Sequence, residues 1–197
     1  MWEVKLAALL AWSWCISYNL QVMKPQYHAI CGGIATSLLI PVLGVNSVAF
    51  FASSVLIDGD HYLDYLYRNG FKDFSIKRMF TFYEMLFDKG REQNFLGLNV
   101  MHTVEFLLLL YAASAITGWI WLKAILWGAQ FHVVFDLVYL YRQGRLFRRA
   151  LSVVEYVIRW RHMKRQGLCP ELAYNSTLEA MSVGSQFSKD KVRKAKQ

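Results

Sequence analysis

Five histidines and a few carboxylates hold most of the chemistry open to this 197-residue chain. His28 opens a long apolar stretch, and Asp58, Asp60 and His61 close its return half. His102 begins the next apolar stretch with Glu105 one turn on, and His132 and Asp136 sit inside the last. His132 and Asp136 are four residues apart and His102 and Glu105 three, so on a helix each pair can aim two donor atoms at one point. Imidazole nitrogens combined with carboxylate oxygens suit one or two divalent ions, zinc first, with manganese or iron as alternatives.

Each element has a plainer explanation when taken singly. A lone histidine in an apolar segment is commonly a hydrogen-bonded packing residue, and His132 with Asp136 can be a structural pair. One aspartate of Asp58-Gly59-Asp60-His61 can cap a helix. Asp64 reads as solvated, and His162 lies in a basic segment without an acidic partner. The convergence of four separate elements favours a metal site with His28, Asp58, Asp60, His61, His102, His132 and Asp136 as its candidate ligands, because ionisable groups at membrane depth are costly and are retained where they pair or bind.

The elements that must position these groups are helices in a membrane. Hydrophobic residues make up 55% of the chain and aromatics 16%, with a mean hydropathy of +0.24, more than an ordinary water-soluble domain carries. The apolar stretch from His28 to Ile57 is too long for one plain span. Pro41, Gly44 and the Asn46-Ser47 pair predict two shorter helices folded back on each other, which brings both ends to one side. Further spans are expected over Asn99–Leu122 and Lys123–Tyr141, with Trp119, Trp121 and Trp127 as interfacial aromatics near their tip. The apolar run Leu6–Val22 lacks a cleavage site and reads as a retained segment.

Of the 22 Lys and Arg, 6 lie between Ile57 and Asn99 and 13 from Arg142 onward. Both basic segments are therefore expected on the cytoplasmic side of a plasma (inner) membrane. The net charge of +8 is explained by this topology and gives no argument for nucleic acid. Residues 145–165 read as a basic amphipathic helix lying on an anionic leaflet, with Arg148, Arg149, Arg159 and Arg161 facing lipid headgroups. The segment Arg68–Gly97 reads as a second interfacial helix or a lid. The expected organisation is thus an all-α, polytopic membrane bundle over residues 1–166, followed by a mobile basic tail over 167–197. Three cysteines, odd in number and widely spaced, argue against structural disulfides.

Three of these motifs resemble a family, the membrane-bound metal-dependent hydrolases of the YdjM type, themselves distantly similar to zinc-dependent phospholipase C. His28-Ala29-Ile30-Cys31-Gly32-Gly33 is similar to the family's N-terminal histidine box, Ile57-Asp58-Gly59-Asp60-His61 to its Pro-Asp-x-Asp-His box, and His132-Val133-Val134-Phe135-Asp136 to its His-x-x-x-Asp box, in the same order over residues 28–141. Ile57 stands where the family has proline. Met101-His102-Thr103 keeps one histidine of the third box and lacks its arginine, so one ligand is either lost or supplied by Glu105. The resemblance implies hydrolysis. One or two ions on the candidate ligands would activate water, with Asp60 or Glu105 taking its proton, and an interfacial site favours a phospholipid or other amphiphilic phosphoester. The rival readings are a membrane anchor in which histidines on neighbouring spans hold b-type haem, a lipid phosphotransferase, whose further motif residues do not follow Asp58-Gly59, and a non-catalytic scaffold.

Overall fold

The computed structural model describes residues 25–89 and 94–182. They are mostly helical with almost no sheet, in agreement with the all-α expectation. In chain order they form α1 (Pro25–Leu43), α2 (Ser47–Leu56), α3 (Gly59–Arg68), α4 (Ile76–Lys89), α5 (Val104–Thr117), α6 (Ile120–Arg142), α7 (Val153–Arg165) and α8 (residues 172–182), with two-residue strands β1 (Gly97–Leu98) and β2 (Arg149–Ala150). The run Leu6–Val22 and the basic end after residue 182 lie outside the described residues. The chain divides into two compact units: residues up to Asp58 with Val100–Ser152, and Gly59–Asn99 with residues from Val153 onward.

In the first unit α1 and α2 form the out-and-back hairpin that the breakers predict. Pro41 removes a backbone donor near the end of α1. Gly44 then turns the chain at φ +55, where an L side chain would be strained, and the Asn46 amide donates to the Leu43 carbonyl at 3.2 Å. The arms are pressed together: a Cβ on Gly32 would lie 2.5 Å from Ser54 Oγ. Contact with α6 is closer still, since a Cβ on Gly128 would meet Ser53 Oγ at 2.0 Å and the Phe50 carbonyl oxygen at 2.2 Å. Leu43, Phe50 and Ala124 fill one core cluster, and Ile57, Ala129 and Val133 another. Two stretches, Gln26–Arg68 and Ile120–Arg142, are long and apolar enough to cross a membrane by length and composition.

The span expected over Asn99–Leu122 is shortened at both ends. Val100–His102 forms a 3-10 turn, Thr103 caps α5 by accepting from Phe106 N–H at 3.4 Å, and Gly118 ends it in the left-handed region at φ 68. Fourteen helical residues extend about 21 Å, less than a hydrocarbon core. Cys31 is disulfide-bonded, which corrects the expectation from cysteine number, and Cys169 is an exposed free thiol.

In the second unit α3, α4 and α8 pack Tyr65, Met79, Phe82, Leu86, Ala173 and Tyr174 into one core. The segment after Arg68 therefore contains an amphipathic helix, with Ile76 and Phe80 left exposed. Part of the expected mobile tail is likewise structured, because Ala173, Tyr174 and Thr177 give α8 a buried face that composition alone does not reveal. The basic helix expected from residue 145 begins only at Val153. Before it the backbone is drawn out of helical geometry in the first unit, where Leu151 accepts from Val104 N–H at 2.9 Å and Arg149 is held by Asp136 at 2.7 Å.

Candidate metal centre

Gly128, His132 and Asp136 recur every four residues on α6 and so share one face. Because Gly128 has no side chain, α2 approaches this face closely enough for the Ser54 carbonyl to reach His132. Nδ1 of His132 lies 2.8 Å from that oxygen. A carbonyl only accepts, so Nδ1 carries the hydrogen, and in the neutral ring the opposite nitrogen, Nε2, presents its lone pair. Metal-binding imidazoles are oriented by this same kind of backbone contact.

Nε2 of His132 is aimed at carboxylates. It lies 3.2 Å from Asp58 Oδ1 and 3.7 Å from Asp136 Oδ2, yet makes no hydrogen bond. His102, on the turn before α5, places its Nε2 3.4 Å from Asp58 Oδ1 and 3.5 Å from Asp136 Oδ2. The donor atoms of Asp58, His102, His132 and Asp136 all lie within 4.8 Å of one another. A tetrahedral ion with bonds of about 2.0–2.2 Å keeps its ligand atoms about 3.3–3.6 Å apart, and the nitrogen–oxygen distances match those edges. The donor set, two imidazoles and two carboxylates, suits zinc or another first-row divalent ion. His102, His132 and Asp136 are buried and Asp58 is the most open of the four, its side chain 24% exposed.

His28 sits one layer further along the hairpin. Its ring stacks on that of His132 with centroids 3.9 Å apart, and its Nε2 is 3.3 Å from Asp136 Oδ1, the oxygen turned away from the other imidazoles. The hairpin thus brings His28 and Asp58, thirty residues apart in sequence, onto the same imidazole, that of His132. Glu105 is outside the converging group: it accepts a hydrogen bond from Ser152 at 2.5 Å. The expectation that His102 and Glu105 share a helical face is corrected, because His102 lies in the 3-10 turn ahead of α5.

Asp60 and His61 belong to α3 in the second unit. Asp60 is buried. The Asn99 amide nitrogen lies 3.1 and 2.9 Å from the two ring nitrogens of His61, and the His61 ring meets Tyr83 edge-on at 4.7 Å. Asp64, expected to be solvated, instead accepts from Arg68 Nε at 2.8 and 2.9 Å and from the Tyr83 hydroxyl at 2.9 Å. Burial and the Asp64 carboxylate together push the Tyr83 phenol well above its usual range.

Sequence reasoning did not single out Ser54, Gly128 or Arg149 as parts of the site. Gly128 carries a legible signal, a glycine on the His132–Asp136 face of an apolar helix. A backbone carbonyl such as that of Ser54 has no residue-type signature. No family model, curated protein or solved structure matches this chain.

Proposed function

We infer that the chain is an integral-membrane, metal-dependent hydrolase acting on a phosphoester or related bond of a lipid or other amphiphilic substrate at the cytoplasmic face. The observation that carries the reading is the His132 imidazole, a buried ligand-type nitrogen whose lone pair faces two carboxylates. Arg149 is bound to one Asp136 oxygen, and a further cation would offset the two converging carboxylates in a setting where water screens them poorly.

The polytopic bundle is supported by the outward side chains of the first unit: Val42, Val45, Leu109 and Ile116 are 68%, 83%, 67% and 85% exposed. Such a surface is a liability in water and ordinary against lipid. Trp119 and Trp121 stack beside the α5–α6 turn, where interfacial aromatics belong. In α7 the exposed Val154, Val157 and Ile158 lie next to Arg161 and Arg165, a composition suited to an anionic leaflet. Stacked face to face, His28 and His132 cannot act as axial haem ligands, which approach an iron end-on from opposite sides.

Asp58, His102, His132 and Asp136 would hold the ion, and the Ser54 carbonyl keeps the His132 ring turned toward it. A bound divalent ion supplies Lewis acidity and lowers the pKa of a water molecule. Of the two carboxylates expected to accept the proton, Asp60 lies on α3 in the second unit, and Glu105, in the first, would first give up its bond to Ser152. Elemental analysis of detergent-purified protein after zinc supplementation tests the reading. About one ion per chain is expected in the wild type and background in His132→Ala, with chelator-sensitive hydrolysis in a screen of chromogenic phosphoesters. Background metal in the wild type would end it.

A further inference from the structure

Asp136 is also held by a cation. Arg149, on β2, places Nη1 2.7 Å from Asp136 Oδ2, the oxygen that faces His102 and His132. Its other two nitrogens, Nε and Nη2, are buried and make no hydrogen bond. A single ammonium suffices to balance one carboxylate oxygen. A guanidinium used only through Nη1 leaves the Nε–H and Nη2–H pair along its opposite edge, the fork that takes two oxygens of a phosphoryl or carboxylate group. Burying charged donors without partners is costly, so their presence beside a ligand carboxylate calls for an occupant.

We propose that the Nε/Nη2 edge of Arg149 recognises an anionic oxygen pair of the substrate, a phosphoryl group in the first instance, and holds it beside the Asp58–His102–His132–Asp136 cluster. This rests on the hydrolase reading and deepens it, by naming the residue that selects the substrate's charged group. Burial favours the role, because water does not compete at that edge and a charge-assisted pair gains strength there. The neighbouring carboxylates repel an anion, so a divalent ion that offsets them strengthens anion binding at this edge.

The test uses the full chain in detergent, loaded with zinc, as wild type and Arg149→Lys. Each is titrated with inorganic phosphate and, separately, with micelles containing phosphatidic acid. Zinc content and thermal midpoint are measured in parallel. Arg149→Lys keeps a charge for Asp136 but loses the fork; it is expected to retain zinc and fold while binding of both probes weakens by about tenfold or more. Tighter wild-type binding of the micelles assigns the oxygens to a lipid headgroup, and equal binding assigns them to free phosphate. The proposal is overturned if Arg149→Lys binds both probes as the wild type does, if zinc-loaded wild type binds neither, or if the variant loses zinc together with phosphate, which would make Arg149 a positioning residue for Asp136. A wild type without zinc would sink the hydrolase reading alone, provided that phosphate binding sensitive to Arg149 persists; if that binding is absent too, both fall.

Discussion

Two polar groups, one in each unit, are built on opposite plans. Around Asp64 in the second unit, opposite charges and donors meet one to one: the carboxylate takes Arg68 and the Tyr83 hydroxyl, and the Arg68 guanidinium lies over the Tyr174 ring at 3.3 Å. Around Asp136 in the first unit, two imidazoles and two carboxylates converge on a common point, and Arg149 is bound to one oxygen of the Asp136 carboxylate. The first arrangement is complete without a ligand and contributes to stability. The second holds two carboxylates side by side and gains when a further cation joins Arg149 in offsetting them, as at a binding site.

That contrast breaks most severely at Gly128. Gly128→Leu puts atoms where Ser53 and the Phe50 carbonyl already lie, and no rotamer avoids a clash that begins at Cβ. The cost should exceed the 1–3 kcal/mol typical of overpacking, with an unfolded or poorly expressed chain read from thermal scans in detergent.

Next in size is the effect of the metal itself. Zinc at about a hundred times its dissociation constant should stabilise the wild type by about 2.7 kcal/mol, seen as a raised thermal midpoint that a chelator reverses. His132→Ala should show no zinc-dependent shift, and an unchanged shift in that variant would erase the distinction between the two polar groups.

Arg68→Ala is the converse. It removes the Nε–H shared between the two Asp64 oxygens and the stacking on Tyr174, and should destabilise by about 1–3 kcal/mol with zinc content unaltered. A loss of zinc in this variant would mean that the second unit's polar group is not merely structural.

The smallest effect expected concerns acid. Glu171 is partly desolvated, which opposes ionisation, but donors from Lys164 and Trp160 outweigh this and bring its carboxyl down to about 2. A folded-state value below the unfolded one gives stability that is fully present above about 4.5 and lost as pH falls toward about 2. Glu171→Gln should flatten the dependence of the thermal midpoint on pH in that window. The flattening will be slight, because both partners are about a third exposed and the solvent screens them.

The hairpin of α1 and α2 was legible because Pro41 and Gly44 act through their own backbone geometry, a property of residue type that no neighbour needs to supply. His132 and Asp136 were legible for a similar reason, since four-residue spacing on a helix fixes a shared face. The start of α7 was not: hydrophobic spacing from Leu146 onward is helical, but Asp136, thirteen residues earlier, captures Arg149 and sets the local backbone. Asp64 and α8 were misread in the same way, because Tyr83 and the buried faces of Ala173 and Tyr174 reach them only after the chain has folded.

By itself, the sequence determined the helical class, the hairpin breakers and the residue types able to bind an ion, since each depends on local backbone preference or side-chain chemistry. Only the tertiary structure decided which carboxylates join His102 and His132, that Glu105 turns to Ser152, and that the Ser54 carbonyl fixes the His132 tautomer. Those outcomes depend on distances of about 3 Å between groups remote in sequence, at which hydrogen bonds and metal bonds form or fail, and such distances are set by helix packing at positions like Gly128.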